Sequence, residues 1–457
     1  MVRAVRSRRH SGAVVATTAV VLLGVELVVL WHTLHLPNRL DAGWVLLWWT
    51  GGAWLGFAAA AWALLRTPRP AAVPILLLGA IALQLLAISV SPTTSNDVNR
   101  YAWDGHVQSA GIDPYRYAAT DPALRGLREA WLFPPGNRCP ELPSTQVCPN
   151  LNHPTAHTIY PPVSEAYFLL VYLLDPGRNN VFPLQVAAAL VALLVTGALL
   201  VVLRRTGGDV RRAVLWAWCP LVVIEAGNNA HVDVLASLLV VIALGLLSRR
   251  KAVTGGVVLG LSIAAKLLPV LVVPAAIRRR PLAVLLASAG AVLAVYLPHL
   301  LAVGAGTIGF LPDYADEEYA AQFSLLRPWV PPVLVLPVAV VILAVVSLLA
   351  WRRTDPDRPW LTAAVTVGAG FLVVTPSYSW YALLLVPLVA LGAGAEWLVL
   401  AAAMVPVYLS GTLGTDARTT RLLAYGAALA VIAGVAVWRR LRPYPVPVAT
   451  TEEVALR

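Results

Sequence analysis

The sequence predicts an all-α, polytopic integral membrane protein with about 11 to 13 transmembrane helices. Three observations lead there. Only 12% of the 457 residues are charged, against about 25% in soluble domains, and mean hydropathy is +0.74. Several apolar runs approach the roughly 20 residues that a helix needs to cross a hydrocarbon core of about 30 Å. Period-2 alternation is absent, so helices rather than a barrel must satisfy the backbone in lipid.

The basic head followed by an apolar run from Ser11 to Leu30 resembles a signal peptide, but it is long and has no small-x-small cleavage site. It reads as an uncleaved first span. Further spans are expected at 43–65 and 71–90, followed by a polar insertion over 92–158 too long to be a simple connection. The run 160–174 is short for a span, and charge parity holds only if it lies along the outer interface or is compensated elsewhere. The remaining spans are expected at 182–203, 213–227, 232–248, 281–301, 331–350, 360–376, 380–395, 396–412 and 421–438. Residues 252–277 lie between two basic clusters and carry Lys266 and Pro269 at their centre. A broken helix or re-entrant hairpin keeps both clusters on one side, whereas a single span separates them; the hairpin is preferred. The chain thus reads as a single transmembrane domain over 1–457, with the loop 92–158 inside it and a tail at 443–457.

The net charge of +11 is distributed by side. The head, the Arg66/Arg69, Arg204–Arg212, Arg249–Lys251, Arg278–Arg280 and Arg352–Arg358 clusters and the C-terminal arginines hold 23 positive charges and five acids, or +18. Opposite loops carry −4 and the membrane segments −3. This is the positive-inside pattern and not a nucleic-acid patch. It places both termini in the cytoplasm of a plasma-membrane protein.

The densest polar run is Ser95-Asn96-Asp97-Val98-Asn99-Arg100-Tyr101-Ala102-Trp103-Asp104-Gly105-His106, directly after the third span. Ser95 or Asn96 can cap a helix and Gly111 can end it. On that helix Asp97, Arg100, Tyr101 and Asp104 share one face, with the two carboxylates about 10 Å apart along the axis. That separation suits one catalytic carboxylate with supporting groups rather than a dyad sharing a proton; a solvated interfacial helix with i,i+3 ion pairs is the alternative. Gly111-Ile112-Asp113-Pro114-Tyr115-Arg116-Tyr117 and Thr158-Ile159-Tyr160-Pro161-Pro162 follow. As isolated motifs they read as interfacial anchors.

Asn228-Asn229-Ala230-His231-Val232-Asp233 interrupts an apolar hairpin, and Lys266 is the only lysine within an apolar run. Ionisable groups at membrane depth are functional candidates. The alternatives are a self-satisfied His231/Asp233 pair and a snorkelling Lys266. Pro376-Ser377-Tyr378-Ser379-Trp380-Tyr381 marks another outer turn. Cys139 and Cys148 fall in the external loop, where a disulfide persists; two unpaired thiols are the alternative. Cys219 reads as inert filler. No phosphate-binding Gly-rich loop, nucleophile elbow or metal-ligand set is present, so no metal or cofactor is expected.

Together the runs 96–105, 111–117 and 158–162 resemble the bacterial GT-C glycosyltransferases, nearest to glycosyltransferase family 87 and its polyprenyl-phosphate-mannose-dependent relatives. Asn229-Ala230-His231-Val232-Asp233, Gly260-Leu261-Ser262-Ile263-Ala264-Ala265-Lys266 and Ser379-Trp380-Tyr381 agree in order, so the likeness spans roughly 90–385, with the first loop its most specific part. Two departures stand out. Residues 131–150 look like an insertion, and two spans precede the one leading to Asp97 where many such enzymes have none.

The resemblance implies a GT-C fold and an inverting membrane mannosyltransferase. Its donor is a polyprenyl-phosphate sugar, its acceptor a glycan or glycolipid, and transfer occurs on the extracytoplasmic face beside membrane lipids. Asp97 matches the family's general base. Arg100, Lys266 and His231, and with less support Arg327, are the candidates for holding the donor phosphate. Tyr101, Asp104, Tyr160, Asp233, Trp380 and Tyr381 are expected around the substrates. The competing class is a transporter or lipid flippase, which predicts paired broken helices at mid-depth. A non-catalytic envelope scaffold leaves the clustered Asp, Arg, His and Lys without a role.

Overall fold

The computed structural model describes residues 2–36, 43–136, 148–175, 180–319 and 322–441. The tail expected at 443–457 and Cys139 lie outside the described residues, within which every regular element is helical. In chain order these are α1 (Val2–Leu34), α2 (Gly43–Arg66), α3 (Arg69–Ala87), α4 (Asp97–Ser109), α5 (Pro162–Leu174) and α6 (Phe182–Arg205). Then come α7 (Val214–Ala217), α8 (Asp233–Ser248), α9 (Ala252–Ile263), α10 (Val273–Ala276), α11 (Pro281–Val303) and α12 (Leu311–Tyr319). The last are α13 (Pro332–Arg353), α14 (Trp360–Val374), α15 (Leu385–Leu391), α16 (Leu398–Tyr408) and α17 (Ala417–Leu441).

Local chemistry sets several of these boundaries. Proline stands in the first turn of α3, α5, α6, α11 and α13, where its missing N–H costs nothing and its fixed φ suits the helix. Helix α4 begins where the Asp97 amide donates to Ser95 Oγ at 3.2 Å. It gives out before Gly111, whose φ of +77° takes the chain into the left-handed region. Leucines and valines of α11 and α13, such as Leu286, Leu301, Val333 and Val341, are largely exposed. In water such a surface would be a liability; in lipid it is the expected outer face.

Seven described helices are long and apolar enough to cross a membrane, and eight with the pair Val222–Asn228 and Asp233–Ser248 counted as one span bent by 111°. Seven or eight of the expected 11 to 13 spans are thus helices of that length. The other apolar stretches fall on five shorter helices of 10–17 residues, at 162–174, 252–263, 360–374, 379–391 and 395–408. Interrupted helices are tolerated at membrane depth only where protein covers the freed backbone, and α15 is buried along its whole length.

Residues 252–277 form a hairpin. Arg250, Ala252, Ala276 and Arg278–Arg280 border one small cavity, so the segment begins and ends at the same, basic end. Lys266 is at the opposite tip, where Ser164 Oγ donates to the Ala265 carbonyl at 2.6 Å. The ascending arm α9 runs parallel to α11: a β-carbon on Gly256 would strike Val284, and one on Gly260 would strike the Ser288 carbonyl. Glycine is required at this crossing because backbone lies against backbone. Helix α5 packs on α4. The chain is back at that end by Gln185 in α6, whose side chain donates to the carbonyls of Val90 and Asn228.

Candidate active site

At the end opposite the arginine clusters, a cavity of about 870 Å³ opens between α4, the loop after it, the hairpin tip and helices α13 and α14. Its volume is in the range of small-molecule sites. Its wall carries the polar side chains Asp97, Asn152, His153, His157 and Lys266. It also carries the apolar Leu268, Leu271, Leu343, Phe371 and Val374. Tyr160, Trp380 and Tyr381 line it as well.

The backbone around this cavity is unusual. His153, Ala230, Phe323 and Thr375 adopt φ between +44° and +62°, a region that side chains with a β-carbon rarely occupy. The chain between Val222 and Asn228 is a π-helical turn, a feature concentrated at functional sites. Strain of this kind persists only where the surrounding structure enforces it.

Asp97 occupies the first turn of α4, with its side chain 17% exposed to the cavity. Asn152 Nδ2 donates to its Oδ1 at 2.5 Å. Burial raises the Asp97 pKa above the ordinary carboxylate value, while the Lys266 charge and the Asn152 hydrogen bond pull it back. The result is an ionisable carboxylate with one oxygen held and the other free to take a proton.

Lys266, at the hairpin tip, lies 3.1 Å from Asp233 Oδ2 at the start of α8. Its ammonium lies 5.6 and 5.5 Å from the ring centroids of Tyr160 and Tyr381. The cation therefore has a carboxylate on one flank and aromatic faces on two others, and its side chain remains 18% exposed.

His231 is fully buried behind this wall, stacked on Trp380 with centroids 3.9 Å apart and planes at 16°. Its Nδ1 lies 3.7 Å from Asp97 Oδ2, and its Nε2 lies 3.4 Å from Glu225 Oε2. Glu225 in turn accepts from Ser379 Oγ at 2.5 Å and from Asn229 Nδ2 at 2.8 Å. Asn229 also ties this layer to the loop after α3, since its Oδ1 accepts from the amides of Thr93 and Thr94.

Arg100 Nε donates to both Asp104 oxygens, at 2.9 and 3.1 Å, and its other nitrogens reach the carbonyls of His153 and Ala156. The guanidinium borders the cavity but is spent on holding the loop. Thr158 Oγ1 lies 2.9 Å from Asp104 Oδ2 and 2.8 Å from Glu165 Oε1. Burial raises the Asp104 pKa, and Arg100 opposes the shift. Tyr101 stacks on Phe168 at 4.4 Å. Arg327 donates to the carbonyls of Gln322 and Tyr319. Tyr101 and Asp104 thus serve the joint between α4 and α5, away from the cavity wall. Cys148 is disulfide-bonded, and Cys219 is free and buried.

The sequence pattern brought forward Asp97, His231, Asp233 and Lys266, and the fold gathers all four. Two further residues, Glu225 and Asn152, belong to the same cluster. Glu225 is the only acid in the apolar run between Asp209 and Asp233, a signal available from the sequence alone. Asn152 carried no such mark, being one polar residue in a polar loop. Among the described residues no three His, Cys, Asp or Glu side chains converge as metal ligands.

Residues 158–376, just under half of the chain, match the family model described as glycosyltransferase family 87. This match indicates a glycosyltransferase. Among curated proteins and among solved structures nothing matches. The matched stretch holds Tyr160, Glu225, His231, Asp233 and Lys266, but ends before Trp380 and begins after Asp97 and Asn152. The resemblance seen in the first loop is therefore not covered by the family match, and Asp97 is joined to the matched residues by the fold.

Proposed function

We propose that the chain moves a sugar, mannose, from a polyprenyl-phosphate donor to a glycan or glycolipid acceptor. Transfer takes place on the extracytoplasmic face of the plasma membrane, with inversion at the anomeric carbon and Asp97 as general base. The observation that carries this reading is one cavity lined both by Asp97 and Lys266 and by apolar side chains of α13 and α14. A lipid-linked sugar phosphate brings the same two kinds of group. The polyprenyl chain lies along Leu268, Leu271, Leu343 and Phe371, the phosphate is drawn to Lys266, and the sugar sits between them against Trp380 and Tyr381.

The chemistry follows from the groups at hand. The acceptor hydroxyl attacks the anomeric carbon and loses its proton to Asp97 as the new bond forms. The bond from the anomeric carbon to the phosphate oxygen breaks, and its electrons stay on the polyprenyl phosphate. That anion is stable without protonation, so the leaving group needs a cation rather than an acid. Lys266 supplies it, and Asp233, 3.1 Å away, holds the ammonium in place. His231, counted among the phosphate candidates, sits behind the wall and supports Asp97.

The reading is tested with membranes carrying the full chain, incubated with radiolabelled polyprenyl-phosphate mannose. Label is expected in extractable glycolipid or glycan in the wild type and not in Asp97→Ala. Equal incorporation by the two proteins would overturn the mechanism.

A further inference from the structure

At the basic end of the bundle the feet of the hairpin 252–277 border a small cavity. It is lined by Arg250, Arg278, Arg279 and Arg280, with Pro356 and Pro359 from the turn between α13 and α14. Like charges gathered around one hollow repel one another unless an anion lies among them. The protein supplies only part of that anion. Arg279 Nη2 donates to Asp357 Oδ1 at 2.9 Å, but its Nη1 is buried without a hydrogen bond. A buried donor left unmet is costly. Arg278 lies over the Trp351 ring, 5.7 Å from its centroid. Among the described residues, the pair with Asp357 is the one ion pair that these four arginines make.

Arg250 is held at this cavity against its own backbone preference. Helix α8 ends in a turn closed by two amides, Arg250 on the Leu247 carbonyl at 3.0 Å and Lys251 on the Leu246 carbonyl at 3.1 Å. Such a turn requires a left-handed residue, usually glycine. Here it is Arg250, with φ of +64°. Strain that glycine would avoid is a reason to look for a use of the side chain. Helices α9 and α11 also begin here, with no side-chain cap and no acid in the first turn, so their free amides add to the positive field.

The enclosed volume is about 20 Å³, room for about one water. An anion is therefore met at the mouth, where Arg250, Arg278 and Arg280 are exposed. The surroundings decide what carries it. Helices α9 and α11 rise together from this end, and Val253, Leu282 and Leu286 in their first two turns are largely exposed. A phosphate joined to acyl chains uses both features, with its charge among the arginines and its chains along these side chains. A free phosphate uses only the first.

We propose that this cavity is a binding site for the phosphate of an anionic phospholipid headgroup, a basic pocket between membrane helices. Arg250 and Arg280 flank the hairpin on its two sides in sequence, so one headgroup shared by them ties its feet together. The site holds whether or not the chain transfers mannose.

The test uses the full-length protein purified in a neutral detergent and titrated with phosphatidylglycerol, phosphatidylcholine or inorganic phosphate. Bound lipid is read by native mass spectrometry and stability by Tm. Phosphatidylglycerol is expected to be retained and to raise Tm, and the other two at the same concentration are not. Arg250→Gln/Arg280→Gln should weaken phosphatidylglycerol binding by about ten-fold or more. Arg204→Gln/Arg205→Gln removes the same charge from another arginine cluster and should leave binding unchanged. If the first pair unfolds, Arg280→Gln alone is read on the folded fraction, with a loss of about five-fold expected. Equal losses in the two pairs would reduce the effect to diffuse charge attraction and overturn the site. Equal retention of phosphatidylcholine would overturn it too. Inorganic phosphate raising Tm as far as the lipid does would make it a site for a free anion and overturn the lipid.

Discussion

Lys266 Nζ lies 3.1 Å from Asp233 Oδ2, joining the tip of a hairpin to the first turn of α8. Asp233 is buried, so Lys266→Met leaves a carboxylate without its counter-charge, a loss of about 3–5 kcal/mol for pairs of this kind. Thermal unfolding is expected to show it. The double variant Lys266→Met/Asp233→Asn is expected to recover Tm without recovering transfer, because the phosphate still lacks its cation. Recovery of both would reduce Lys266 to a structural role.

The acid limb of the pH–rate profile should report Asp97. Burial raises its pKa, and only the ionised form is a base, so kcat/KM falls as pH drops through a value above that of a free carboxylate. Asn152→Ala removes a hydrogen bond that favours the anion, so the limb should move to higher pH. A limb that stays in place in this variant would assign it to another group. Asp97→Asn itself should lower the rate by about 100- to 10,000-fold.

Arg100 and Asp104 make a buried ion pair in which the one Nε–H faces both carboxylate oxygens, at 2.9 and 3.1 Å. Arg100→Met strands Asp104 beside Glu165 and should loosen the loop over 148–160. Limited proteolysis there should accelerate, at a cost of about 3–5 kcal/mol. If Arg100 instead gripped the donor phosphate, Arg100→Lys would raise the donor KM and leave proteolysis unchanged.

Gly260 lies where α9 crosses α11, and a side chain there meets the Ser288 backbone. Gly260→Leu should destabilise by about 1–3 kcal/mol and raise the donor KM, since it displaces the arm that carries Lys266. Gly290→Ala, in the middle of α11 with open space around it, should leave KM alone and raise stability by about 0.5–1 kcal/mol. Equal effects of the two on KM would separate the hairpin from donor binding.

Much of this was legible in the chain itself. Scarce charge and long apolar runs determined a helical membrane protein, and the side-by-side bookkeeping of arginines placed the hairpin 252–277 with both feet at the basic end, because these are summed local properties. The helix from Asp97 to Ser109 was legible too, since Ser95 and Gly111 punctuate it. The tertiary structure alone decided what the polar groups do. It spent Arg100 on Asp104, set Lys266 against Asp233, brought Asn152 onto Asp97, and placed Glu225 one imidazole away from it. Each of those choices depends on which short helix breaks and where its end is aimed. A hydrophobic pattern fixes how many residues are buried but not which two buried charges meet.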